Sequence, residues 1–360
     1  MNGADYDAII AGGGVIGAST AWRLAAKGLR VLLADARTVG SEASSAGAGM
    51  LAPGGEFHPP SPMFDFAVGS LAQFDDFVAG IQDDSGLPVE FRRTDAVQIA
   101  LTDSEFDAIT QRAASQRAAG VPSRALAKGE LRSVAPLVRP DAVGAIHYAN
   151  EAIVDTGTLM PALRAACLAR GVTIQEESPV TAISASATGV SVSFGDRTID
   201  AAFAVLAAGA WSSGINVTID AQAYPLPRSF PVKGHLLGYR QPPGSLATTV
   251  RHDHTYVLQR AGGFTIAGSS TEDAGFDRGI DPKIVSDIGA RAGDLVPALR
   301  DLQPESVWIG FRPATDAPAP NIGRVRSSRL WLAYGHYRNG VLLAPATSHK
   351  VCEEISALLP

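Results

Sequence analysis

Residues 8–17 read AIIAGGGVIG, and this stretch decides the fold. Ala8 to Ala11 is a short apolar run, as a buried parallel strand requires, and it ends at a glycine cluster. Gly12-Gly13-Gly14-Val15-Ile16-Gly17 fits G-x-G-x-x-G. The first glycine permits a tight turn, the second lets backbone approach a pyrophosphate, and the third allows close helix–strand packing. Val15 to Lys27 has helical spacing and meets Gly28 where a C-cap glycine belongs. The helix points its positive end at the phosphates. Val31 to Ala34 is a second buried strand, and Asp35 follows at its end, eighteen residues after Gly17, where an acid accepts hydrogen bonds from ribose hydroxyls. This β-α-β unit points to dinucleotide binding. Asp35 disfavours NADP, because a 2′-phosphate would meet a carboxylate, but the motif alone does not separate FAD from NAD.

Composition narrows the rest. The chain has 360 residues, 46% hydrophobic and 18% charged, enough for two domains with a substantial core. A net charge of −6 and the lack of a basic block interleaved with aromatics argue against nucleic acid as a partner. Cys167 and Cys352 form neither a disulfide framework nor a metal cluster, and both fall in helical patterns where a small buried hydrophobe fits. Nothing resembles a signal peptide or a membrane span, so a reducing cytoplasmic setting is expected.

Further along, Ala67, Leu71, Phe74, Val78 and Ile81 repeat at helical spacing and predict one long amphipathic helix. Ser104 to Ala119 predicts a second, and the face of Leu159, Ala162, Leu163, Ala166 and Cys167 a third. Beyond Gly171 the period changes to two, with Val190, Val192 and Phe194 alternating with serines. His254 to Gln259 and Phe264 to Ala267 flank Ala261-Gly262-Gly263 and read as a hairpin. Asp287 to Leu295 reads as a helix ended by Pro297, and Ala346 to Leu359 as the last helix. Trp308 to Phe311 and Leu330 to Ala333 read as strands returning to the first domain. The expectation is an α/β, two-domain chain that is discontinuous. Residues 1–90, 145–222 and 312–360 would form a Rossmann-like nucleotide domain. Residues 91–144 and 223–311 would form an antiparallel-sheet substrate domain.

Three segments bear on the choice of nucleotide. Glu42 to Pro53, EASSAGAGMLAP, is crowded with small residues, so its backbone either lies against a flat ligand or forms a surface loop. Ala202 to Ser212, AFAVLAAGAWS, is a buried strand ending in a small-residue turn. Tyr334 to Thr347, YGHYRNGVLLAPAT, is a glycine-bounded turn feeding a helix, whose free N–H groups can face an electron-rich group.

In chain order GGGVIG with Asp35, ASSAGAGMLAP, AIVDTGTLMPAL, VLAAGAWS, HTYVLQR, FRPATDAPAPNIG and GHYRNGVLLAPAT resemble the D-amino acid oxidase-like flavoproteins, and most of all their glycine oxidase branch, associated with thiazole formation in thiamin synthesis. The resemblance covers almost the whole chain. It implies noncovalent FAD in a two-domain fold of the hydroxybenzoate-hydroxylase type; neither cysteine lies near Phe311-Arg312-Pro313, where a covalent tether would be sought. It places FAD against Gly12, Gly14, Val15, Ile16 and Gly17, with Asp35 and Ala36 at the ribose. Ala43, Ser44, Ala48, Gly49 and Met50 would follow its length, with Val180, Ala208, Gly209 and Trp211 beside it. His336, Tyr337, Arg338, Asn339, Gly340, Val341 and Leu342 would lie at its pyrimidine end, where the N–H groups of residues 339 to 342 stabilise the reduced flavin.

For the substrate, the resemblance implies a carboxylate on Arg312, whose guanidinium suits bidentate recognition. Pro313 biases Arg312 toward an extended conformation. The Tyr256 hydroxyl assists, Arg338 shapes the site, and Met50 is an apolar wall. His254, two residues from Tyr256 and so on the same strand face, is either a site residue or a satisfied structural histidine. His235 and Leu236 are expected on a strand lining the site. The implied reaction moves the Cα hydrogen to flavin N5 as hydride. The imino acid hydrolyses to an oxo acid and ammonia, and dioxygen returns as hydrogen peroxide. Rival expectations are a dehydrogenase passing electrons to a quinone or protein, a flavin-binding subunit without turnover, and an NAD-dependent dehydrogenase. Homo-oligomers are common in the family. TDAPAPNIG lacks the Gly-Leu often found there, and GSSTEDAGF differs from relatives, so glycine, sarcosine, small D-amino acids and larger amines all remain open.

Overall fold

The computed structural model describes residues 5–359. Strand β1 (Tyr6–Ala11) forms the centre of the first sheet because Ala8 to Ala11 carry no polar side chain and are covered on both faces. It pairs in parallel with β2 (Val31–Ala34) on one side and with Arg197–Leu206 on the other. Thr173–Gln175 extends the sheet beyond β2, and Leu330–Tyr334 beyond Arg197–Leu206, both in parallel. Five parallel strands therefore come from the beginning, middle and end of the chain. Along its N-terminal half, Arg197–Leu206 pairs antiparallel with Val190–Phe194, which leads into a small outer layer. Helix α1 (Val15–Ala26) packs against the helices Thr156–Ala169 and Gly340–Ser356 on one face of this sheet. Leu24, Leu33, Leu163, Val205 and Trp331 fill the core between them. Each such apolar side chain stabilises the fold by roughly 1.5–3 kcal/mol relative to exposure.

The second sheet runs Ser306–Thr315, Ser229–Arg240, Phe264–Gly268, Thr255–Gln259, Thr249–His252, Phe91–Ala100, Gly144–Val154 and Met50–Leu51. Its strands alternate with period two. Leu237, Tyr239, Val257 and Ala267 face the helix Pro282–Leu295. Leu236, Leu258, Ile266 and Ile153 face the opposite way, toward the first sheet.

Several sequence expectations change. The second sheet takes in 144–154 and 306–315, which the expected boundaries at 145 and 312 gave wholly or partly to the nucleotide domain. The 306–315 strand pairs along ten residues with 229–240, so Trp308 to Phe311 do not return to the first domain as Leu330–Tyr334 does. The helix expected through Ala67 and Ile81 is two, Pro62–Ala72 and Phe74–Ser85, parted at Gln73. The two halves bury against different partners. Phe74 and Phe77 meet Phe91 and Trp22, whereas Ser70 enters the C-terminal helix. That helix begins at Gly340 rather than near Ala346, although Pro345 lies inside it. The Ser70 hydroxyl donates to the Leu342 carbonyl (2.7 Å) and accepts from the Ala346 N–H (3.2 Å), filling a gap in the helical ladder beside the proline. Both cysteines are buried in helices, and burial pushes the Cys167 thiol up to about 12. Among the described residues no helix is long and apolar enough to cross a membrane.

Candidate active site

A cavity of about 710 Å³ lies between the two sheets, within the range of small-molecule and cofactor sites. One end is the Gly12–Gly17 turn. Gly12 has φ +109°, and a Cβ there would strike the Ala207 carbonyl just past the neighbouring strand; a Cβ on Gly17 would strike the Gly12 carbonyl. Gly17 is thus a packing residue under the turn, while Gly12, Gly14, Val15 and Ile16 line the cavity. Asp35 lines it too, with Ala36 beside it. Asp35 Oδ2 accepts from Gly13 N–H (2.6 Å) and Oδ1 from Arg37 N–H (2.7 Å). Burial raises its pKa against those two hydrogen bonds. The second lone pair of each oxygen stays available to a hydroxyl donor.

The small-residue segment 42–53 forms a wall, not a free loop. Ala43, Ser44, Ala48, Gly49 and Met50 all line the cavity, and Ser44 Oγ accepts from Val15 N–H (2.8 Å) at the start of α1. A Cβ on Gly49 would overlap the Val154 carbonyl, so glycine lets this wall lie on the second sheet. Val180, Ala208, Gly209 and Trp211 line the far side. Trp211 stacks on Phe276, with ring centroids 4.7 Å apart. A dinucleotide fits this arrangement: a helix N-terminus, an acid at the end of β2 and glycine-shaped walls share one elongated cavity.

A second helix N-terminus meets the cavity at residues 336–341. Tyr337 adopts φ +50°, a conformation that costs a bulky residue on the order of 1–3 kcal/mol. His336 is buried with Nε2 3.1 Å from Thr347 Oγ1, and burial pushes its pKa down to about 3, so the ring is neutral. The Asn339 N–H donates to the His336 carbonyl (2.9 Å), so it is not free as expected. The N–H groups of Gly340, Val341 and Leu342 open the helix without intrahelical acceptors. Gly340 and Val341 line the cavity, but Leu342 belongs to the core beneath.

The remaining wall is a row across the second sheet. Trp308, Leu236, Gly268, Tyr256, Arg251 and Gln98 are successive cross-strand partners, and side chains so paired share a face. A Cβ on Gly268 would lie 2.7 Å from the Tyr256 hydroxyl, and one on Gly234 would overlap the Arg312 guanidinium. Two strand glycines thus let Tyr256 and Arg312 lie against the sheet. Arg312 donates to the Lys233 and Ser270 carbonyls (3.4 and 3.0 Å) and to Ser269 Oγ (2.9 Å). Among the described residues no carboxylate pairs with it. Burial raises the Tyr256 phenol, which Arg312 and Arg338 partly offset, so the hydroxyl remains a donor. Arg338 is held by Glu56, with Nε 3.0 Å from Oε2. Met50 is a partly buried wall residue near Arg251.

Two expectations fail here. His254 belongs to the exposed turn after Thr249–His252, with 72% of its side chain accessible, and is neither a satisfied structural histidine nor on the strand with Tyr256; it borders the cavity mouth. His235 faces away from the cavity, bound to Glu272 (2.7 Å) and to the Asp281 N–H (3.1 Å), and only Leu236 lines it. The sequence reading also missed Glu56, Ser269 and the ion pair Arg251–Glu151. Charged residues interrupting strands at 251 and 151 were the available signal.

A family model described as FAD dependent oxidoreductase (DAO) matches residues 7–354. Glycine oxidase of Geobacillus kaustophilus is 31% identical over 97% of this chain and 92% of its own length. A bifunctional ThiO/ThiG protein of Synechocystis sp. is 31% identical over 97% of this chain, which spans 51% of that protein. The crystal structure of glycine oxidase from Geobacillus kaustophilus superposes with a TM-score of 0.91 at 29% identity, covering 99% of this chain and 95% of that one.

Proposed function

The chain belongs to the FAD-dependent oxidoreductase family, and on that premise we propose that it oxidises the Cα–N bond of glycine or another small amino acid or amine. The observation that carries the reading is Arg312, the one guanidinium at the substrate end without a carboxylate partner among the described residues. A substrate carboxylate supplies the missing charge, and the Tyr256 hydroxyl donates a second hydrogen bond to it. FAD, when bound, supplies the acceptor for the hydride lost from Cα and passes the electron pair to dioxygen, giving hydrogen peroxide.

The residues otherwise orient. Leu236 and Met50 give the cavity apolar lining that limits water at the reacting carbon, with Trp308 packed in the same cluster. The N–H groups of Gly340 and Val341 direct positive potential into the cavity, favouring negative charge that develops opposite them. The substrate amine reacts neutral, so the rate rises with pH until that amine is deprotonated. Water then converts the imino acid to an oxo acid and ammonia. The glycine oxidase and ThiO/ThiG relatives support a place in thiamin thiazole formation. Cytoplasmic location and homo-oligomeric assembly belong to the same proposal, and light scattering of the holoprotein tests the second.

The deciding experiment mixes holoprotein anaerobically with glycine, sarcosine and small D-amino acids, then admits air. Flavin bleaching followed by rapid recolouring with one equivalent of peroxide is expected. Bleaching with sluggish recolouring would instead mark a dehydrogenase. No bleaching by any amine would defeat the proposal.

A further inference from the structure

We infer that Arg251, with Gln98 beside it, forms a second polar subsite next to Tyr256. It accepts substrates whose side chain or N-substituent ends in an uncharged hydrogen-bond acceptor such as a carboxamide. The inference rests on the carboxylate-anchor reading of Arg312 and Tyr256. Arg251 lies directly opposite Tyr256 in the 249–259 hairpin and directly beside Gln98 on the next strand. Directly opposed residues have Cβ atoms about 4.5–5.5 Å apart, so a ligand held at Tyr256 reaches Arg251 through a short substituent. Both Arg251 and Gln98 line the cavity.

The guanidinium is built in place. It is 6% exposed, lies 5.1 Å above the Tyr148 ring, and binds Glu151 through Nη1 and Nη2 (2.8 and 3.1 Å). Gly55 leaves room for it, since a Cβ there would press on Nη1. Two of its five N–H groups suffice for Glu151, and its buried Nε–H has no partner among the described residues. Glu151 takes one N–H from each Nη, so Arg251, which lines the cavity, keeps further donors for an acceptor on a ligand.

Charge decides the class of that acceptor. Three guanidiniums, Arg251, Arg312 and Arg338, serve this end, and Glu151 and Glu56 each pair with one of them. Among the guanidiniums lining this end, Arg312 alone has no carboxylate partner among the described residues, and the substrate carboxylate uses it; Arg112 lies behind the lining, donating to the Gln98 Oε1. A second carboxylate would find Arg251 already neutralised.

Isosteric ligands test this. The holoenzyme is assayed with D-asparagine against D-leucine, and with N-(carbamoylmethyl)glycine against N-isobutylglycine; D-aspartate and iminodiacetate are the charged members. At least one amide should exceed its isobutyl isostere in kcat/KM by about ten- to a hundredfold, the worth of a hydrogen bond to a charged group. It should also exceed the charged member. In Arg251→Met/Glu151→Leu, which removes both charges and so leaves none buried alone, the ratio of amide to isobutyl isostere should fall to about one. Calorimetric binding of succinamate against 4-methylpentanoate reads the same preference without turnover. Equal binding of these two, or a preference that survives the double substitution, overturns the subsite. Preference for the carboxylates overturns its neutral character. Failure of the anchor reading looks different: glycine oxidation would then be indifferent to Arg312→Met.

Discussion

At the Gly12–Gly17 end the cavity wall is backbone. N–H groups and the space left by missing Cβ atoms do the recognising, and the side-chain acids Asp35 and Glu42 stand among them. At the Tyr256 end the wall is long side chains, Arg312, Arg251 and Tyr256 from separate strands and Arg338 from the turn before the last helix, two of them tied to acids far away in sequence. Backbone recognition tolerates no added atom but is indifferent to most side chains. Side-chain recognition is retuned by single substitutions. The difference implies a cofactor end that resists change and a substrate end that drifts.

The largest expected effect breaks the first region alone. Gly17→Ala places a methyl onto the Gly12 carbonyl, so the turn must move and the purified protein should be nearly colourless; a full flavin complement would show that the turn is not the cradle. Arg312→Met breaks the second region while sparing the first. It should stay yellow but lose about 10²–10⁴-fold in kcat/KM for glycine, the scale for truncating a buried charged anchor. Unchanged kinetics would remove the anchor.

A third prediction concerns the joint between the regions. The folded pKa of His336, about 3, lies below its unfolded value near 6.5. Its neutral form is favoured by folding, so this contribution is complete above about pH 6.5 and is lost as pH falls toward 3. The loss reaches on the order of 4 kcal/mol. Denaturant unfolding across that window should show a shallower pH slope in His336→Leu than in the parent; parallel slopes would exclude the histidine as the cause. Ser44→Ala should weaken the start of α1 by about 1 kcal/mol, read as a lower midpoint of thermal unfolding. Smallest of all, His254→Ala should leave kcat/KM for glycine within about threefold, since the ring is solvated at the mouth. A tenfold loss would return His254 to the chemistry.

The same contrast explains what could be read from the chain. The β1–α1–β2 unit, Gly17 and the wall at 43–50 were legible because close backbone approach demands small residues in a fixed order. The boundaries at 145 and 312 were not. Apolar strands such as 144–154 and 306–315 look alike whichever sheet they join, and pairing with 91–100 and 229–240 decides it. Arg338 lines the cavity, but its partner Glu56 is 282 residues away and leaves no local trace. His254 misled because a strand period was carried through a turn that ends at Thr255.

The five parallel strands of the first sheet end with Leu330–Tyr334, which lies against Arg197–Leu206. A ribosome therefore releases residues 6 through 334 before that sheet can close, and the sheet's contacts span very long loops. Such topologies fold slowly and expose unfinished strand edges while they wait. We expect cofactor capture to follow closure of this sheet and lock it, and cells short of riboflavin to accumulate chain that chaperones and proteases recognise. Pulse-labelled protein made without flavin should be degraded faster than the holoprotein; equal lifetimes would argue that the closed sheet needs no such lock.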